Sequence, residues 1–303
     1  VGASDYNPLA FSIVGDALPA QPFTGEIGAG TAVRVMTGAP MPAGLDTVVP
    51  AEYAQVVDGR VEITAASTPG KHVGRRGEDL HAGQIVLGAR RRLRPQDAGL
   101  LASLGFARAT VVRRPRVRLV VTGNEVVPPG EPKGEWEVYD ANSAMLRALV
   151  TRDGGVIEGH HRPGDDAARI AEAMTAPGAD VVLLSGGSSV GAEDHAPRLL
   201  AQAGELAVHG VAMRPSSPAG MGRIADRLVF LLPGNPVSCL CAYDFFAGRA
   251  IRLLGGRSAE WPYRSLEATV ARKIVSAVGR VDYCRVRLGE TGVEPLALSG
   301  ASI

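Results

Sequence analysis

Val181-Val182-Leu183-Leu184-Ser185-Gly186-Gly187-Ser188-Ser189-Val190-Gly191 is the stretch that decides the fold. Four apolar residues in a row read as a buried parallel strand, and the small residues after them let backbone N–H groups crowd around an anion while the hydroxyls add donors. The shape recurs downstream. Leu228-Val229-Phe230-Leu231-Leu232 opens into Pro233-Gly234-Asn235-Pro236-Val237-Ser238, and a helix-like stretch, Cys239 to Leu254, follows. Two such strand–loop–helix junctions predict one phosphate-lined crevice at the C-terminal edge of a parallel sheet, where an α/β domain keeps its ligand.

Working outward, residues 116–257 read as one doubly wound unit. Its strands are expected at Val117–Val121, Val156–Glu158, Asp180–Leu184 and Leu228–Leu232, with helices at Asn142–Asp153, Asp166–Thr175 and His195–Ala203. Upstream, residues 1–90 alternate short β-type runs with turn residues. Ala32–Met36, Thr47–Pro50, Gln55–Val57 and Val61–Thr64 are too closely spaced for crossover helices, and Asp58-Gly59 is a hairpin signal. A small, mostly antiparallel β domain is expected. Residues 91–115 form a helical connector, with Pro95-Gln96-Asp97 starting a helix that Gly105 stops. From 258 to 303 the pattern returns to β, at Leu266–Ala271 and Val281–Leu288, and reads as an incomplete last domain. The fold class is thus α/β: a doubly wound, mostly parallel sheet preceded by a β-rich domain and followed by a partial one.

With 46% hydrophobic and 21% charged residues the 303-residue chain is an ordinary globular protein with room for several cores. A net charge of +1 gives no argument for nucleic acid or a membrane surface, and no apolar run reaches spanning length. Cys239, Cys241 and Cys284 cannot all pair, and the C-x-C in a helix has no histidines at zinc spacing. They read as reduced small hydrophobes, which fits a reducing cytoplasm. Residues 71–118 hold twelve Lys and Arg against three acids, read as a solvated connector, although Arg75 and Arg76 abut a Gly77-Glu78-Asp79 turn.

Three constellations carry chemistry. The two small-residue loops come first; a helix end beside each adds about 0.3–1 kcal/mol for an anion. Second are carboxylates at strand ends: Glu125, Asp140, Asp165 and Asp166, and Glu193-Asp194. Like charges about 4 Å apart cost about 4 kcal/mol at an effective dielectric of 20, so acids beside a phosphate site call for a divalent cation, and Mg²⁺ is the usual choice. Each acid can equally be a helix cap. Third is Met213–Gly220, where Arg214, Ser216 and Ser217 in a rigid loop suit an oxyanion or simply form a surface turn.

Together these motifs resemble the molybdopterin molybdenumtransferase family, the class that includes the E domain of gephyrin. The matching stretches are Val33–Pro40, Arg75–Asp79, Thr122–Glu125, Tyr139–Asn142, Ser185–Gly191 and Pro233–Ser238, in the family's order. The resemblance implies Mg²⁺-dependent insertion of molybdate into adenylylated molybdopterin, with cleavage of the pyrophosphate and release of AMP. It implies that Glu125, Asp165 or Asp166, and Asp194 hold the cation or the pyrophosphate. Ser185, Gly186, Gly187, Ser188 and Gly191 would cradle the pterin phosphate and nucleotide, as would Pro233, Gly234, Asn235 and Ser238. Thr37 and Asp79 would be essential residues of the β domain, acting with Glu125 and Asp194 in catalysis, and the chain would form a homodimer with sites shared between subunits.

Three departures go with the resemblance, one being the incomplete last β domain. The family's S-A-M-D-G-Y-A segment is expected upstream of residue 1, and its K-P-G-K-P loop stands here as Arg214-Pro215-Ser216-Ser217-Pro218, with both lysines replaced. The alternatives are a non-catalytic molybdopterin-binding or scaffolding module and a related adenylyl-transfer enzyme.

Overall fold

The computed structural model describes residues 2–89, 91–187, 195–290 and 292–297. Contacts divide the chain into two units, 1–86 and 87–303.

The first unit holds β1 (Leu9–Ala17), β2 (Thr31–Val35), β3 (Ala54–Val57) and β4 (Arg60–Ile63) in the order β2-β1-β4-β3. Asp58 and Gly59 both have positive φ, as a two-residue hairpin between β3 and β4 requires. The β1–β2 pair is parallel, and Leu9, Phe11 and Ile13 alternate onto Val61 and Ile63. That alternation is legible in the sequence, although β1 is not among the runs read above.

The second unit begins with α1 (Pro95–Ser103). Next come β5 (Arg116–Val121), the short β6 (Val126–Val127) and β7 (Val138–Tyr139), α2 (Ala141–Arg152), β8 (Val156–His161), α3 (Ala167–Thr175), β9 (Val181–Ser185) and α4 (Ala196–Ala203). They are followed by β10 (Glu205–His209), β11 (Met213–Arg214), β12 (Gly220–Ile224), β13 (Arg227–Leu232) and α5 (Pro236–Ala242). A π-helical turn, Tyr243–Ala247, joins α5 to α6 (Gly248–Leu254), and β14 (Val281–Asp282), β15 (Arg285–Gly289) and β16 (Gly292–Ala297) close the chain.

The main sheet runs β10-β12-β13-β9-β5-β8, parallel from β13 to β8. Alternation along its strands builds two cores. Val117, Leu119, Val181, Leu183, Phe230 and Leu232 face α2, α5 and α6, whereas Val120, Val182, Leu184, Val229 and Leu231 face α3 and α4. Each such side chain, once fully buried, contributes about 1.5–3 kcal/mol. A doubly wound sheet results. Because β5 leads through α2 to β8 on one side, while β8 leads through α3 to β9 on the other, the order reverses between β5 and β9.

Several elements differ from expectation, and the run Thr47–Pro50 forms no strand. β10 and β12 form an antiparallel edge, where Gly222 lets the backbones close up: a Cβ there would lie 1.9 Å from the Glu205 carbonyl oxygen. Leu266–Ala271 is no strand, since only Val270 bridges to Val293. In the basic stretch every described lysine and arginine except Arg118 is exposed, as a solvated connector requires, but several are also paired. Arg113 pairs with Asp180, Arg118 is buried against Glu158, and Arg91 and Arg94 both bond Asp97.

Candidate functional site

The reversal between β5 and β9 places Thr122, just past β5, beside Ser185 and Gly186 at the end of β9. The Thr122 N–H donates to the Ser185 carbonyl and the Gly186 N–H to the Leu232 carbonyl, each at 3.0 Å, so three strand ends continue in register into their loops. Gly186 (φ +96°) and Gly187 (φ +56°) lie in the left-handed region that favours glycine. A Cβ on Gly186 would sit 2.7 Å from Thr122 Oγ1, and one on Gly234 would lie 3.6 Å from the Gly186 Cα. The two loops therefore meet backbone to backbone at the same end of the sheet. Among the described residues nothing accepts from the N–H groups of Gly187, Gly234 or Asn235. Backbone amides without an acceptor are the kind of donors that an anion can take.

A side chain locks the two loops together. Asn142, in the first turn of α2, donates its Nδ2 protons to Ser185 Oγ (2.8 Å) and to the Gly234 carbonyl (2.7 Å). Asp140 caps that turn: its Oδ1 accepts from the Ser143 N–H at 2.8 Å, and its Oδ2 accepts from the Ser143 hydroxyl at 2.5 Å. With that proton committed, His160 Nε2, 2.7 Å from Ser143 Oγ, is the donor. Ser143 is buried and links Asp140 to His160. Burial holds the His160 pKa below its ordinary value, with Arg147 and Arg162 adding to the effect and Asp140 opposing it.

The carboxylates at the sheet edge divide by role. Asp166 caps α3, its Oδ1 accepting from the N–H groups of Ala168 and Arg169. Asp165 and Asn124 bond reciprocally: Asp165 Oδ2 accepts from the Asn124 N–H (3.0 Å), and Asn124 Oδ1 accepts from the Asp165 N–H (3.2 Å). This ties the loop after β5 to the loop after β8 and leaves Asp165 Oδ1 free of these bonds. Glu125 is exposed, its carboxylate folded over Gly123. No group of three or more His, Cys, Asp or Glu stands together as a metal site among the described residues. Ser188, Gly191 and Asp194 lie outside the described residues.

In the Met213–Gly220 loop the Ser216 hydroxyl donates to the Ser238 carbonyl at 2.6 Å and is buried, whereas Arg214 is half-buried and Ser217 exposed. Pro233 and Ser238 are buried, and Asn235 is the exposed N-cap residue of α5. Cys239 and Cys241 are buried free thiols, and burial pushes the Cys239 pKa up to about 12. In the first unit, Thr37 sits exposed in the turn after β2. Asp79 is also exposed, following a turn that the Glu78 carboxylate closes on the Arg75 N–H.

Thr122 and Asn142 were quoted above only as motif residues; their bridging positions depend on which strand ends the topology brings together. No periodicity signals such a contact.

Residues 118–252 match the family described as a probable molybdopterin binding domain, and residues 3–105 match the MoeA N-terminal region, domains I and II. Over 296 residues the chain is 34% identical to molybdopterin molybdenumtransferase 2 of Mycobacterium tuberculosis, covering 95% of this chain and 73% of that protein. The chain belongs to the molybdopterin molybdenumtransferase family. Another relative in this family, from Haemophilus influenzae, is 32% identical over 91% of the chain and 69% of its own length. A crystal structure titled as the molybdopterin biosynthesis moeA protein of Pyrococcus horikoshii OT3 superposes with a TM-score of 0.75 at 25% identity, covering all of this chain and 75% of that one. Membership in the molybdopterin molybdenumtransferase family makes the protein a transferase and accounts for a β-rich unit ahead of the α/β sheet. No helix among the described residues is long and apolar enough to cross a membrane.

Proposed function

We propose that the protein inserts molybdate into adenylylated molybdopterin, cleaving its pyrophosphate with Mg²⁺ and releasing AMP, as a cytoplasmic homodimer with sites shared between subunits. The observation that carries this reading is the apposition of Gly186 and Gly234, beside N–H groups of Gly187, Gly234 and Asn235 that meet no acceptor among the described residues. A pyrophosphate linking two bulky groups matches two loops that meet at such an edge.

Mg²⁺ commonly takes one or two carboxylates plus phosphate oxygens. Glu125 and Asp165, which keeps Oδ1 free, suit that demand, with Asp194 as a further ligand; Asp166 is already engaged as a cap. The ion would neutralise charge on the phosphate oxygens during the displacement. The chain's own contribution is to seat the phosphates on fixed amides, and Arg75 and Arg76 would help offset the remaining negative charge. Thr37 and Asp79 are proposed as essential on the β-rich unit. Arg214 and Ser217 are proposed to face the oxyanion.

The test supplies adenylylated molybdopterin, molybdate and Mg²⁺ and measures AMP. Glu125→Gln should lower turnover at least tenfold (about 1.4 kcal/mol) with an unchanged melting temperature. No molybdate-dependent AMP release by the unaltered protein rejects the reading. The Arg214–Pro218 loop favours a second one, binding without turnover, because it has no lysine and its Ser216 hydroxyl is committed to Ser238. Tight pterin binding without molybdate-dependent chemistry would select that option.

A further inference from the structure

We propose that Asn142 is a positioning residue that joins the two loops into one cradle and orients the amide of the second toward the substrate phosphates. The inference rests on the reading above for its substrate but not for its geometry.

The amide's orientation is determined by its partners. A carbonyl oxygen only accepts, so the atom facing Gly234 O must be Nδ2. The other Nδ2 proton goes to Ser185 Oγ, on the neighbouring strand end. The Gly234–Asn235 peptide is trans, and a trans peptide points its carbonyl and its N–H in opposite directions. Holding the Gly234 carbonyl against Asn142 therefore turns the Asn235 N–H away from the helix, toward the exposed side of the loop.

Two further atoms mark this as a functional arrangement. Asn142 Oδ1 and Thr122 Oγ1 are both buried without a hydrogen-bond partner among the described residues. Buried polar groups are nearly always satisfied, and exceptions concentrate where geometry serves something other than stability. The position of Asn142 is in turn pinned by the Asp140–Ser143–His160 chain, which ties the first turn of α2 to β8.

Asn142→Asp supplies the decisive variant. At neutral pH its carboxylate would face the Gly234 carbonyl with no proton to donate, and the loops should part. Protonation restores a donor of nearly the same shape. An aspartate titrates at about 4 in water and higher when buried. The kcat/KM of Asn142→Asp relative to the unaltered protein should therefore be about 10²-fold down at pH 8 and recover progressively toward pH 5, as expected for misplaced substrate groups. Asn142→Ala should show a similar loss at every pH. A purely structural role predicts that any acid recovery follows the melting temperature. Recovery of kcat/KM at pH values where the melting temperatures of variant and unaltered protein already agree therefore marks positioning.

Amide hydrogen exchange without substrate gives the second readout. In Asn142→Ala, exchange should rise together in segments 181–187 and 228–238. Unchanged exchange in either segment, or a flat pH profile for Asn142→Asp, overturns the proposal. If the unaltered protein releases no AMP while both segments loosen together, the substrate reading fails and the clamp stands. Turnover with unlinked loops has the opposite meaning.

Discussion

The two ends of α2 carry opposite kinds of polar chemistry. At its C-terminal end, Asp153 is fully buried, and both its oxygens are engaged by Arg152, Arg252 and the Tyr243 hydroxyl. Asp244 is engaged in the same way by Arg152 and Tyr263. At the N-terminal end, two buried side-chain atoms, Asn142 Oδ1 and Thr122 Oγ1, and amides of the adjoining loops have no partner among the described residues. Paired buried charges resist the loss of any one member, whereas open donors cost stability unless a ligand meets them. The first network holds α2, the π-helical turn and α6 together; the second is available for binding.

The largest effect should come from the charge-paired end, where among the described residues only Arg252 Nε of the network lacks a partner. Asp153→Ala strands the buried Arg252 guanidinium and should cost about 3–5 kcal/mol by urea unfolding. Ligand affinity in the protein that remains folded should be unchanged. A mild cost would show that the network is exposed to water.

At the open end, Gly187→Val introduces a β-branched side chain at φ +56°, with its Cβ 3.2 Å from Thr122 Oγ1. Affinity for the adenylylated pterin should fall at least tenfold (about 1.4 kcal/mol), with less destabilisation than Asp153→Ala. Retained affinity would remove this loop from the site.

The smallest effect should be a pH slope. His160 has a lowered pKa, so on acidification the unfolded chain takes up its proton first. Its contribution to stability is complete above the ordinary value of about 6.5 and declines as pH falls toward the folded pKa. His160→Gln should flatten the urea midpoint between pH 7.5 and 5. An unaltered slope would assign the pH dependence to other groups.

Much of the architecture was legible. The apolar runs at 181–184 and 228–232 marked central strands because burial on both faces demands unbroken hydrophobicity, and Gly186 and Gly187 after the first marked a loop with left-handed backbone. The antiparallel edge was less readable, since β12 (Gly220-Met221-Gly222-Arg223-Ile224) has neither alternation nor bulk. The roles of the acids were also ambiguous. Asp165 and Asp166 are neighbours of the same type, yet one closes a loop with Asn124 and the other caps α3.

By itself, the sequence determined which strands are buried, where the loops must turn and which family of enzymes the motifs belong to, because these follow from local chemistry and spacing. Only the tertiary structure decided that Gly186 meets Gly234, that Asn142 spans them and that Ser216 is spent on Ser238. Those contacts join residues 22 to 92 positions apart, and strand order, which no local pattern encodes, brings them together.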